Sequence, residues 1–199
     1  MRLPLSWLKE FNDTDLSVED LADLLTRAGL EVEAIERIGI YSDRIVVGEI
    51  LEVRPIADTK NLHEVDLQLG DGQQGTAVTG APNITPDSTG AKVPVALSGA
   101  ILLDSKSESF ALTAVKPREF RGVQSSTVLC SEMELGLSDD HTGVLLLEEK
   151  AEPGDLVRDL LEIPADCGAD VVFEIDILPN YGRCLSIIGI AREVAALTR

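Results

Sequence analysis

Residues 180–199 read NYGRCLSIIGIAREVAALTR, and they decide the fold because they need a partner. Ser186 is placed to cap a helix, after which Ile187, Ile190, Ala191, Val194 and Leu197 recur at the i, i+3, i+4, i+7 spacing that gathers them on one face. No Gly or Pro follows to stop that helix. An apolar stripe of this kind must pack against something, and the first forty residues supply a matching surface. In 17–36, SVEDLADLLTRAGLEVEAIE, Ser17 reads as an N-cap with Asp20 in the N3 place of a capping box, and Leu21, Leu24, Leu25 and Ala28 lie on one face. Gly29 ends that helix, and Leu30, Val32 and Ala34 then alternate with Glu31, Glu33 and Glu36 as a half-buried strand. Leu3, Leu5, Trp7, Leu8 and Phe11 add a further apolar set. Neither end of the chain buries its own faces, so the two are expected to complete one another.

Between about 42 and 150 the texture changes to short Val, Ile and Leu runs broken by Gly, Asp, Asn and Pro. IVVGEILEVRPI, HEVDLQLG, GTAVTGAP, AKVPVALSG, SFALTAVKPREF, SSTVLCS and TGVLLLEE read as strands, DGQQG as a hairpin turn and CSEMELGL as a short helix. Pro94 demotes its strand toward an edge or a bulge. Many short strands in about a hundred residues point to a small closed barrel. From about 152, EPGDLVRDLLE begins a helix and DVVFEIDIL alternates as a strand before the final helix. The expected architecture is α+β: a barrel at 41–151 inserted into a discontinuous αβ domain made of 1–40 and 152–199, since insertions enter surface loops whose ends lie close together.

Composition sets limits. With 199 residues and 44% apolar content the chain can bury a substantial core. The N-terminus MRLPLSWLKEF lacks the apolar core and cleavage site of a signal peptide, and no run approaches bilayer length, so no membrane association and a cytoplasmic location are expected. Cys130, Cys167 and Cys184 are odd in number and widely spaced, which suits reduced thiols. His63 and His141 have no second His or Cys at ligand spacing, so no metal site is expected. The net charge of −18 opposes nucleic-acid binding by the body as a whole. Lys92–Arg121 is the exception, with five cations against three anions, a local +2.

Catalytic motifs are missing. There is no GxxxxGK[ST] loop and no GxGxxG after a strand. Ser138, Asp140 and His141 are too nearly consecutive to converge on one reacting atom. Cys130, at the end of an apolar strand, reads as a packing residue. No catalytic residue is assigned.

Several strings in register carry a family resemblance: PLSWLKEF, LADLLTRAGLEVEAIE, IVVGEILEVRPIADTKNL, VTGAPNI, AKVPVALSGA, RGVQSSTVLCSEMELGLSDDHTGVLLL and CLSIIGIAREVAALT. Together they cover almost the whole chain, which resembles the N-terminal region of the β subunit of bacterial phenylalanyl-tRNA synthetase. The resemblance implies an oligonucleotide-binding (OB-fold) type tRNA-binding barrel set in a small winged-helix-like first domain, with an editing module beyond. It implies tRNA, the synthetase α subunit and the rest of the β subunit as partners, in a heterotetramer of two α and two β chains, and no DNA. ATP and magnesium are implied for the whole enzyme and no cofactor for this segment.

For RNA, physics asks for cations and aromatic platforms along a groove. Tyr41, Phe110 and Phe120 are the barrel's aromatics, and both phenylalanines read better as core. Backbone recognition by Lys60, Lys92, Lys106, Lys116, Arg118 and Arg121, with Ser125 as a hydrogen-bond donor, is therefore the expected mode. Departures from the family pattern bear on this. Tyr181, Gly182 and Arg183 stand where the family often has Arg, Pro and Asp, which leaves Arg183 as the candidate to replace the family arginine. Thr127 stands where the family has Gly, a residue that would allow close backbone approach. Two other readings remain: a free-standing module that binds tRNA structure, and a protein-interaction scaffold without RNA affinity.

Overall fold

The computed structural model describes residues 1–104, 111–162 and 169–198. In chain order the elements are β1 (Arg2–Pro4), α1 (Leu5–Lys9), α2 (Val18–Arg27), β2 (Glu31–Gly39), β3 (Ile45–Pro55), β4 (His63–Gln68), β5 (Gln74–Thr79), β6 (Lys92–Ala96), β7 (Ile101–Leu103), β8 (Leu112–Ala114), β9 (Arg118–Phe120), β10 (Val123–Ser125), β11 (Val128–Leu129), α3 (Val157–Leu160), β12 (Ala169–Asp176) and α4 (Ile187–Leu197). The chain divides into two compact units, one of Met1–Ile38 with Ala169–Arg199 and one of Gly39–Gly168.

The first unit is built by both chain ends. Its sheet has the order β1-β12-β2, with Leu3 opposite Phe173 in an antiparallel register. Phe173 and Ile175 are buried and alternate with exposed Glu174 and Asp176, the period-two pattern of a strand with one solvated face. Leu3, Leu8, Leu25, Leu30, Phe173, Ile190 and Val194 form one core, so the stripe on α4 is covered by α1, α2 and the sheet. Leu197, expected on that stripe, is exposed, because it lies a turn beyond the last core contact at Val194. Ser186 caps α4 by accepting from the Gly189 N–H. A Cβ at Gly189 would fall 1.9 Å from the Arg183 carbonyl oxygen, so the start of α4 abuts that carbonyl only without a side chain. Ser17 caps α2, accepting from the Asp20 N–H at 3.1 Å; the Asp20 carboxylate accepts the Ser17 hydroxyl rather than completing a backbone capping box.

The second unit is a nearly closed five-stranded barrel with the order β11-β6-β3-β4-β5 and antiparallel neighbours throughout. β3 pairs with β6 through Ile45–Glu49 and with β4 through Glu49–Pro55, with a bulge between Ile50 and Glu52 where it turns from one neighbour to the other. Gly48 sits inside that curl, where a Cβ would lie 2.4 Å from Val95 Cγ2. The remaining gap, between β5 and β11, is bridged in parallel by Ala77 and Thr127. Three antiparallel strands in sequence, a fourth beside the first, and a fifth returning parallel to the third make an OB-type barrel. Its interior holds Ile50, Val65, Leu67, Val93 and Val95, and a second cluster around Ile45, Val47, Leu102 and Leu135 fills the other side of β3.

Several sequence expectations are corrected here. Residues 152–162, expected in the first domain, belong to the barrel unit: Val157 is fully buried against the Ile45 and Val47 cluster, and Leu156 bridges Val46. Pro94 lies in an interior strand, not at an edge. Its carbonyl accepts the Cys130 N–H, so its nitrogen faces β11, where the Cys130 carbonyl accepts the Leu145 N–H instead; Val47, opposite on β3, turns its own N–H and carbonyl to Asp155 and Gly154. SFALTAVKPREF is not one strand: β8 ends at Ala114 and β9 begins at Arg118, separated by the stretch containing Pro117, which has no N–H to donate. CSEMELGL forms consecutive turns closed by Gly136 at φ +68° instead of a helix. TGVLLLEE forms no ladder: the Leu145 N–H reaches the Cys130 carbonyl, the Leu147 N–H reaches the Lys92 carbonyl, and the Asn83 side chain bonds both the N–H and the carbonyl of Val144.

Candidate nucleic-acid interface

Barrels of this type bind oligonucleotides on the face of their second and third strands and with the loops joining strands one to two and four to five. In this chain those strands are β4 and β5, and the loops are 56–62 and the long connection from β6 to β11. Lys60 is exposed in the first loop. Lys116, Arg118 and Arg121 are exposed in the second, around a β9–β10 hairpin whose strands pair Arg118 with Ser125 and Phe120 with Val123. The two residues between the strands, Arg121 and Gly122, have φ of +53° and +85°, the geometry of a type I′ turn. Sequence reading misses this hairpin because an arginine stands where Asn or Asp usually takes the first left-handed position; Gly122 is its only local signal.

The charges on the two loops are free to act outward. Among the described residues, Lys60, Lys116, Arg118 and Arg121 have no ion pair, and neither does Arg44 outside the two loops, whereas Arg54, Lys92, Lys150 and Arg158 each have one. Glu119, the carboxylate inside the hairpin, accepts from Gln124 Nε2 at 2.9 Å. Lys92 does not join this group: its side chain is mostly buried at the start of β6 and its ammonium pairs with Glu49. Lys106 and Phe110 lie outside the described residues.

Ser125 has another job than the expected one. It is buried, its hydroxyl donates to the Thr127 carbonyl at 3.0 Å, and its oxygen accepts from the Val78 N–H at 3.2 Å. Its single proton is committed within the barrel and its oxygen joins β10 to β5, so it is not offered to a ligand. Thr127 is likewise buried, donating from Oγ1 to the Thr76 carbonyl at 3.2 Å. The residue that departs from the family glycine therefore serves the barrel seam.

The outer sheet face carries a different chemistry. Glu52 is opposite Asp66, and Arg54 is opposite Glu64, with Thr76 and Val78 next along β5. Arg54 lies 2.5 Å from Glu52, 3.2 Å from Glu64 and 2.7 Å from Asp66. The hydrogen bonds that it donates to Asp66 and then to Glu64 hold its guanidinium above even its ordinary high pKa. Thr76 Oγ1 donates to the second oxygen of Asp66 at 3.3 Å. A shallow groove of about 520 Å³ runs from Glu52 and Asp66 past Thr76 to Gln124 and Ser126, connecting this face to the base of the hairpin.

Ser138, Asp140 and His141 form no reacting constellation. Ser138 donates to Glu132 at 2.6 Å, Asp140 is bonded by Thr142, and His141 Nδ1 lies 3.3 Å from the Asp139 carbonyl oxygen. Burial pushes the Cys130 thiol well up, which keeps it protonated. In the first unit, Arg183 donates to Glu193 at 2.7 Å and stacks 5.0 Å from the Tyr181 ring centroid. Both contacts lie within its own unit, and the side chain is more than half exposed.

The family model described as "Putative tRNA binding domain" matches residues 45–156. Phenylalanine–tRNA ligase β subunits match along the whole chain, at 44% identity over 200 residues for that of Burkholderia pseudomallei and 40% for that of Dechloromonas aromatica. The chain spans 23% of the length of those relatives. Among solved structures, a MetRS-related protein from Pyrococcus horikoshii covers 72% of this chain and 99% of its own, at 19% identity and a TM-score of 0.41. The chain belongs to the family of the tRNA-binding domain, and along its whole length it is similar to the N-terminal region of phenylalanine–tRNA ligase β subunits.

Proposed function

We propose that this chain is a non-catalytic region of a phenylalanine–tRNA ligase β subunit and that it contacts tRNA through the two barrel loops. The observation that carries this reading is local: three unpaired cations, Lys116, Arg118 and Arg121, crowd one hairpin of a chain whose net charge is −18. Such a patch neutralises phosphates without reading bases, so it serves to position a folded RNA. The relatives' names, β subunits of a phenylalanine–tRNA ligase, support a place in a multi-subunit ligase. In our reading the rest of the β subunit and the α subunit complete it as a cytoplasmic heterotetramer that charges tRNA with phenylalanine.

ATP and magnesium would be used elsewhere in that enzyme. Among the described residues no three His, Cys, Asp or Glu side chains gather to hold a metal, and no cationic clamp for a triphosphate accompanies a phosphate-binding loop. Those residues do not fit the nucleotide, and no step is assigned to it. No described helix is long and apolar enough to cross a membrane.

The test is a fluorescence-anisotropy titration of labelled phenylalanine tRNA at low and at moderate salt, with the wild-type chain and the Lys116→Glu/Arg118→Glu/Arg121→Glu variant. The proposal expects binding that weakens with salt and is lost in the variant. A chain that binds no tRNA even at low salt would favour the scaffold reading, which the acidic sheet face supports.

A further inference from the structure

We infer that the Arg54 carboxylate cluster makes the β3–β4–β5 face reject single-stranded nucleic acid, so that this barrel discriminates against the ligands its topology otherwise invites. The inference rests on the loop-contact reading above and assigns the specificity of the same surface. In an OB-type barrel this face is where unpaired bases stack and where a cationic groove tracks the backbone. Here the outward positions of β4 and β5 beside the core residues Val65, Leu67 and Ala77 are Glu64, Asp66, Thr76 and Val78, which offer no aromatic ring. Arg54, the cation on this part of the face, is held by three carboxylates at once. Its charge is outnumbered, and its donors are turned to Glu52, Glu64 and Asp66 and away from any phosphate. Thr76 fixes the third carboxylate from the far side. A strand approaching the groove between Asp66 and Gln124 therefore meets net negative charge and no stacking platform. The free cations on the flanking loops remain able to reach the phosphates of a bulky, folded RNA that stands off the sheet.

The test compares binding of a uridine 12-mer and of phenylalanine tRNA at low salt. Glu52→Gln/Glu64→Gln/Asp66→Asn removes the cluster's negative charge and releases Arg54. The single Asp66→Asn variant is a milder version, included in case the triple substitution disturbs the sheet. Asp71→Asn/Glu149→Gln/Glu152→Gln removes three exposed carboxylates elsewhere on the barrel unit. The expected result is a gain in 12-mer affinity of about tenfold for the triple variant and about threefold for Asp66→Asn, with the control gaining less than about twofold. Arg54→Gln, which keeps the carboxylates, should gain nothing. Equal gains in the cluster variant and the control, no gain in either cluster variant, or a gain in Arg54→Gln would each overturn the inference. Failure of the loop-contact reading shows separately, as absence of wild-type tRNA binding.

Discussion

The Tyr181 hydroxyl donates to the Ala28 carbonyl at 2.9 Å across 153 residues of sequence. Ala28 is the C-cap of α2, one of the carbonyls a helix end leaves without an intrahelical donor. The tyrosine thus closes an N-terminal helix with a side chain from the C-terminal part of the chain. Gly29 makes room for it: at φ +88° a Cβ there would lie 2.8 Å from the Tyr181 hydroxyl oxygen. Tyr181→Phe should lower the stability of the first unit by about 1 kcal/mol, the usual net worth of one such bond. Gly29→Ala should cost more, since it adds backbone strain to the collision. Thermal melts of both variants check the order; a Tyr181→Phe melt identical to wild type contradicts the role.

Ser125 separates a structural from a binding role. Ser125→Ala leaves the Val78 N–H and the Thr127 carbonyl without their partner and should cost about 1–3 kcal/mol. Its tRNA affinity, measured well below the melting temperature, should match wild type. A fall in affinity without a fall in stability would return Ser125 to the interface.

Cys130 and Cys184 are fully buried, and burial pushes both thiols up, so little thiolate is present to react. Both should resist iodoacetamide in the native protein at about pH 8 and react once the chain is unfolded. Peptide mass mapping of the alkylated sites reads the result directly.

Asp140 carries a pH signature. The Thr142 backbone N–H first, and then its hydroxyl, hold the Asp140 carboxyl below the usual carboxylate range. A depressed folded pKa adds stability at pH values above the unfolded carboxylate pKa, and that stability is lost as pH falls through the lower, folded value. Thr142→Val should raise the Asp140 midpoint while leaving it below the unfolded value, because the backbone bond remains. A carbon-detected carboxyl titration of the two proteins makes the comparison.

What is legible in the sequence follows from periodicity. The α4 stripe, the Ser17 and Ser186 caps and the alternation of β12 are local patterns, and the fold keeps each of them. The return point between units is not legible, because Val157, Leu160 and Leu161 have the same apolar spacing whichever core they enter. The cations of the interface are visible as charges. Their availability is not, since Lys92 and Arg54 lose theirs to carboxylates brought near only by strand pairing. Ser125 reads wrongly for the same reason: its partner Val78 is 47 residues away.

On this reading RNA meets the loops and not the sheet. The most direct measurement is a backbone amide chemical-shift map of the 199-residue chain as phenylalanine tRNA is added. Perturbations and line broadening should concentrate at 57–61 and 116–124, while Glu64, Asp66 and Thr76 stay unperturbed. Shifts centred on β4 and β5 with a silent hairpin would contradict it.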